Sequence, residues 1–203
     1  MSAFSRNRRR ILSLWLSRLP TDRIKRQLWQ SGATPVSSDP SVVVAKQNSA
    51  LQIFALDDAA AALGLDIGLP LANARAICPQ LKVYDADEAA DANALNAIAC
   101  WCDRFTPLVA LDSPHGLYLD ITGCVHLFGG EAAMMRRLCD VLTAQGFAVS
   151  AAIAGTAVCA RTLTRHLHGR IVTDGEEAEA VSPLPVSALG AEAATVIGLR
   201  RAG

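Results

Sequence analysis

Two carboxylates sit on the arms of the clearest hairpin pattern in the chain, and their chemistry depends on what stands between them. In the stretch 106–123, TPLVALDSPHGLYLDITG, the apolar runs 108–112 and 116–121 are joined by Ser113-Pro114, and the arms carry Asp112 and Asp120. Carboxylate oxygens are what a hard cation such as magnesium requires, and two such ions can clamp the attacking and leaving oxygens of phosphoryl transfer. A rearranged site of that kind would need a third acid, for which Asp57 and Asp58 are available. The spacing favours a plainer role. The two aspartates lie eight residues apart on opposite arms, and Asp120, followed by Thr122 and Gly123, is expected to cap a turn by accepting backbone N–H groups.

Other ligand-type residues are scattered. Cys100-Trp101-Cys102 is C-x-C within a helical pattern, where residues two apart point in different directions. The six cysteines show no framework spacing, as expected of reduced thiols in the cytoplasm. His126, His166 and His168 lack cysteine or carboxylate partners at ligand spacing and are expected to pack or cap. His115, in the hairpin turn, is expected to face solvent or a phosphate. No metal and no cofactor is expected. Gly129-Gly130-Glu131 reads as an ordinary helix start.

The elements that must position these residues follow from periodicity. The run 10–16 reads as a buried strand, and Pro20 with Thr21-Asp22 starts a helix to about Trp29. After a Gly/Ser/Pro-rich link, 42–45 and 51–55 read as paired strands leading into an Ala-rich helix over 57–63. A helix over 71–77 and a strand over 81–84 follow. Apolar residues at helical spacing predict a helix over 87–104; then come the hairpin, a helix over 130–145, a strand over 147–153 and a helix over 155–168. With 31–84 set aside as an insertion, the order is βαββαβ, a ferredoxin-like α+β arrangement.

Composition bounds the class. The chain has 203 residues, 51 % hydrophobic and 19 % charged, enough for one substantial core or two small ones. No apolar run nears the roughly 20 residues of a membrane span, and no signal-peptide core follows the N-terminal arginines. Net charge is zero but uneven: residues 1–26 hold eight basic side chains against Asp22 alone, leaving 11 basic and 18 acidic residues elsewhere. A basic end on an acidic body can bind DNA phosphates, with Arg6, Arg8, Arg9 and Arg10 as the expected contacts. Arg136, Arg137, Arg161, Arg165 and Arg170 either extend that surface or form solvated helix faces.

The hairpin also resembles the catalytic palm hairpin of Y-family (translesion) DNA polymerases, roughly S-I-D-E-A-F-L-D-x-T-G. Anchored on 119–123, LDITG, the family's Asp and Glu fall on His115 and Gly116, and the D-x-D of its first strand falls on Trp15 and Ser17. The segment Ala60-Ala61-Ala62-Leu63-Gly64, with Gly68-Leu69-Pro70-Leu71, Ala74 and Cys78-Pro79, resembles the family's fingers pattern, and Pro183-Leu184-Pro185-Val186 the opening of its thumb. The family's triphosphate arginine falls on Ala61 and its nucleotide-stacking tyrosine near Asp58. The resemblance extends from about Arg8 to the C-terminus and is nearest to the non-catalytic ImuB-type members.

What this implies is a ferredoxin-like palm with an inserted small fingers subdomain and a truncated helix-hairpin-helix thumb: basic tail 1–9, palm 10–30 and 85–175, fingers 31–84, incomplete thumb 176–203. It also implies degenerate catalytic positions at Trp15, Ser17, His115 and Gly116, and a DNA-associated adaptor in damage-induced mutagenesis. Implied partners are DNA, an error-prone replicative-type polymerase, a RecA-like accessory protein and the sliding clamp, the clamp-binding region lying outside the sequence, with no membrane. The alternatives are an active nucleotidyltransferase with a rearranged metal site, or a truncated inactive fragment.

Overall fold

The fold is a computed structural model describing residues 9–32, 39–47, 49–190 and 198. Its contacts divide the chain into two compact units, with divisions at Trp15/Leu16, Ala97/Ile98, Val141/Leu142 and Ala148/Val149.

The first unit is built on a sheet of β1 (Ile11–Trp15), β5 (Val109–Asp112), β6 (Gly116–Asp120) and β7 (Ser150–Ala154), in the order β5-β6-β1-β7. All three pairings are antiparallel. This is the ferredoxin-like order expected from periodicity. The central strand explains itself: Leu12 and Leu14 alternate with Ile11, Ser13 and Trp15, so a chain pleated with period two sends one set to each face. Ile11 joins Ala152, Ala154, Cys159, Ala160, Leu163 and Val172 in one core. Leu12 and Leu14, fully buried on the other face, oppose Leu119 and Leu117 across β6.

Helix α6 (Ala157–His166) starts where the Thr156 hydroxyl accepts the Cys159 N–H at 3.3 Å, and its Thr164 hydroxyl donates to the Ser13 carbonyl of β1. Beyond β7, the segment at Ile171 adds a parallel bridge to Ile153. A short helix α7 (Glu177–Val181) and a 3-10 turn at Val186–Leu189, neither anticipated, follow. The apolar stripe expected over 190–199 as the thumb falls outside the described residues except for Gly198.

The second unit carries the sheet β3-β2-β4, with β2 (Ser41–Gln47) antiparallel to β3 (Ala50–Leu56) and parallel to β4 (Lys82–Asp85). Val42, Val44, Ile53, Ala60, Leu65, Ala74, Cys78 and Leu81 form its core, drawing on the sheet and on α2 (Asp58–Ala62) and α3 (Leu71–Ile77). Helix α1 (Leu19–Gln30) belongs to this unit by its contacts. Helices α4 (Glu88–Cys102) and α5 (Glu131–Ala144) contribute to both.

Strand β7 begins at Ser150, not at Phe147. Its start is set by pairing, since Ser150 is the partner of Trp15, and the Ala148 N–H donates instead to the Asp22 carboxylate at 2.7 Å.

Candidate functional site

The site is a row of residues across the sheet of the first unit. Asp112 on β5 opposes Gly116 on β6, and Gly116 opposes Trp15 on β1. Directly opposed residues share a face of a sheet, and this face is covered by α6. Arg161 and Arg165, four apart and therefore on one side of that helix, both reach the same oxygen of Asp112: Arg161 Nε to Oδ2 at 3.1 Å and Arg165 Nη2 to Oδ2 at 3.0 Å. The Arg165 guanidinium also lies 5.5 Å from the centre of the Trp15 ring, a cation–π distance. Tyr118 completes the surroundings. Burial, with the Asp112 carboxylate beside it, raises its phenol above the ordinary value.

Gly116 is what allows the arrangement. A Cβ at this position would stand 3.0 Å from the Asp112 Cβ, its carbonyl oxygen and its Oδ2, so a side chain here would press on Asp112 and require it to shift by a few tenths of an ångström. The glycine at a resemblance-implied acidic position therefore has a packing reason of its own. His115, in the turn between β5 and β6, is partly buried and engaged with a neighbour.

Asp120 stands at the far end of β6, four residues and roughly 13 Å from Gly116 at the rise of an extended strand. Its Oδ1 accepts the Thr122 N–H at 3.1 Å, and its Oδ2 pairs with Arg9 at 3.0 Å. The expected turn cap is present, and Asp112 and Asp120 are too far apart to share an ion. Among the described residues, no group of three or more His, Cys, Asp or Glu side chains is placed to hold a metal.

Of the four N-terminal arginines proposed for DNA, Arg6 and Arg8 lie outside the described residues. Arg9 is 72 % exposed and meets Asp120 at the surface. Arg10 is committed within the unit: its Nε and Nη2 reach the Glu131 carboxylate at 2.6 and 2.7 Å, and Nη1 donates to the Val172 carbonyl at 2.8 Å. That bond network ties the start of β1 to α5 and to the segment beyond β7. Glu131, read from sequence as a helix-start residue, is thus also an ion-pair partner.

In the second unit, Ser17 and Ala61 are both exposed. Asp58 is 86 % exposed and paired with Arg18, which lowers its pKa from the usual carboxylate range. Asp57 is saturated, accepting from the Ala60 N–H, the Ser41 N–H and hydroxyl, and the Lys25 ammonium. Cys100 is exposed and Cys102 buried, on different sides of α4. Burial pushes the Cys102 thiol up to about 12 and the Cys139 thiol to about 11. His168 Nδ1 lies 2.7 Å from the Thr164 carbonyl, a capping contact at the end of α6.

Residues 33–165, more than half of the chain, match the impB/mucB/samB family. The chain belongs to that family. It is 46 % identical over 147 residues to Protein ImuB of Caulobacter vibrioides, covering 70 % of this chain and 32 % of that protein. It is 30 % identical over 139 residues to DNA polymerase IV 2 of Mesorhizobium japonicum, covering 66 % of this chain and 34 % of that one. The chain thus spans about a third of the length of these relatives.

The fold is that of Y-family DNA polymerases. An insertion ternary complex of Dbh DNA polymerase superposes with a TM-score of 0.76 at 16 % identity, over 96 % of this chain and 58 % of that one. DinB from Sulfolobus solfataricus superposes with a TM-score of 0.69 at 16 % identity, over 96 % and 57 %.

Sequence reasoning missed the arrangement around Asp112. The sequence reads Arg161 and Arg165 as a phosphate-binding or solvated face, and the signal for their pairing is their i, i+4 spacing on a helix directly after β7, the strand that pairs with β1. A helix so placed returns over the sheet, where a lone β5 carboxylate can meet both cations.

Proposed function

We propose that this chain is a non-catalytic, Y-family polymerase-like module of DNA repair, acting in damage-induced mutagenesis as a DNA-associated adaptor for an error-prone polymerase in translesion synthesis. The observation that carries the reading is the row Asp112, Gly116, Trp15. Its central and inner positions hold a hydrogen and an indole, and its carboxylate is bound to two guanidiniums. An ion entering there would find no oxygen from Trp15 or Gly116 and would have to strip Asp112 from both arginines. In the second unit, Ser17 offers a lone hydroxyl and Ala61 no cation for a triphosphate.

By family resemblance, the proposed partners of the whole protein are DNA, an error-prone replicative-type polymerase, a RecA-like accessory protein and the sliding clamp, in the cytoplasm. Among the described residues, no helix is long and apolar enough to cross a membrane.

The polymerase named among the relatives favours a second reading, an active nucleotidyltransferase. Primer extension in magnesium and in manganese separates the two. The expected outcome is no incorporation by the natural chain, and little by the variant carrying Trp15→Asp, Ser17→Asp, His115→Asp and Gly116→Glu together. Template-dependent extension by the natural chain that is lost in Asp112→Ala or Asp120→Ala would establish the enzyme instead.

A further inference from the structure

We infer that the groove between the segment beyond α6 and the α7 region is a docking site for a partner protein, taking a short amphipathic segment that presents aliphatic or aromatic side chains beside lysine or arginine. The cavity has a volume of about 500 Å³ and is lined by two stretches of chain. Leu167, Ile171 and Val172 come from the first, and Ala180, Pro183 and Leu184 from the second, so the lining is largely apolar. That volume lies within the range of built binding sites, about 300–1,000 Å³. Ile171 remains 37 % exposed, and apolar surface left to water is what an entering side chain covers.

The charged rim selects which segment fits. Glu176 and Glu179 line the groove from the start of α7, and Arg170 lines it from the other stretch. All three are exposed, and among the described residues none has an ion-pair partner. Glu177, between the two glutamates, is spent elsewhere: its Oε1 accepts the Gly155 N–H at 3.2 Å and its Oε2 the Gly175 N–H at 2.8 Å. Two unmatched carboxylates against one guanidinium leave the rim acidic, which favours a basic segment and rejects an acidic one. Arg170 is left for a carbonyl or a single acid of the bound chain.

Both walls are fixed by contacts that need no ligand. The first is tied to the sheet: the Ile153 N–H donates to the Arg170 carbonyl and the Val172 N–H to the Ile153 carbonyl, each at 2.9 Å, and Arg10 Nη1 holds the Val172 carbonyl. The second is tied by the two Glu177 bonds, and Ala180 and Val181 pack against the core shared by α6 and the sheet. A groove built in advance loses little freedom when it is filled, and this favours binding. The inference rests on the proposed adaptor reading, since an adaptor must hold a second protein.

The test uses two labelled synthetic peptides, one with leucines at helical spacing flanked by lysines, the other identical but with every lysine replaced by glutamate. Fluorescence anisotropy at low salt compares their binding to the natural chain, to Glu176→Lys combined with Glu179→Lys, and to Ala180→Leu, which fills the cavity. The natural chain is expected to prefer the lysine peptide by at least about fivefold, and the double variant to reverse that preference. Ala180→Leu is expected to weaken lysine-peptide binding by at least about fivefold. Failure of the natural chain to bind the lysine peptide overturns the inference, as does a folded Ala180→Leu that binds like the natural chain. A preference unchanged in the double variant also overturns it, placing the attraction on the acidic body at large. Should Ala180→Leu be unfolded by thermal melting, the double variant still decides, because both glutamates are exposed. In methyl spectra of the natural chain the lysine peptide is expected to shift Leu167, Ile171 and Leu184. The same methyls moving on dilution, or on Leu199→Ser without peptide, would place a second copy or the segment 191–203 in the groove and overturn the assignment to a partner. Nucleotide incorporation by the natural chain would refute the non-catalytic reading without touching these binding outcomes.

Discussion

Asp57 ends one strand and begins one helix with a single carboxylate. Burial alone would raise its pKa, but the Lys25 ammonium, the Ser41 hydroxyl and the backbone N–H groups of Ala60 and Ser41 together hold it below the usual carboxylate range. A carboxyl whose folded pKa is depressed stabilises the fold fully above its unfolded value of about 3.9, and that stabilisation fades as pH falls through the folded value. Asp57→Ala removes the N-cap of α2 and leaves buried donors without an acceptor, at a cost of roughly 2–4 kcal/mol. Urea denaturation at pH 7 should show that loss, and the gap between natural chain and variant should narrow at acid pH. A gap of equal size at both would remove Asp57 as an ionised anchor. Asp22 works with the opposite sign: burial raises its pKa despite the Ala148 N–H, so its ionised form weighs against the fold and its contribution improves as pH falls through the folded value.

At the scale of elements, β1 and α6 carry the first unit. β1 is hydrogen-bonded on both edges, to β6 and β7, and its side chains are buried on both faces. Its apolar alternation made the strand legible in the sequence, and the same period placed every strand of the ferredoxin-like order. Element ends were less legible because they depend on partners: β7 starts where Trp15 meets Ser150. The short α7 was missed because five residues span too little of the helical period to stand out. Leu163→Ala, deep in the core between α6 and the sheet, is expected to cost about 2–5 kcal/mol. Leu127→Ala, at a side chain 70 % exposed, should stay within about 0.5 kcal/mol. Equilibrium denaturation of the two variants compares them directly, and similar losses would mean that Leu163 is not the buried core residue described.

For the whole molecule, the uneven charge predicts how DNA would be held. Arg10 is occupied by Glu131 and the Val172 carbonyl, so its replacement should weaken folding more than binding. The tail 1–9 carries Arg6, Arg8 and Arg9. If all three contact phosphates, deleting the tail should lower the log–log salt slope for single-stranded DNA by about 2, at about 0.7 per phosphate contact. Fluorescence anisotropy over a salt series measures this. An unchanged slope would move the contact to arginines elsewhere on the protein.

The sequence by itself determined the class of fold, because strand period, turn residues and motif spacing are written locally along the chain. It also determined the role of Asp120, whose cap is made with an amide two residues away. Only the tertiary structure decided what Asp112 does. Its partners Arg161 and Arg165 lie about fifty residues further on, and they meet it because β6 and β1 bring the row into register and α6 folds back over that face. The same holds for Arg10 and Glu131. Which cation is exposed and which is spent inside the fold depends on distances through space that no local pattern contains.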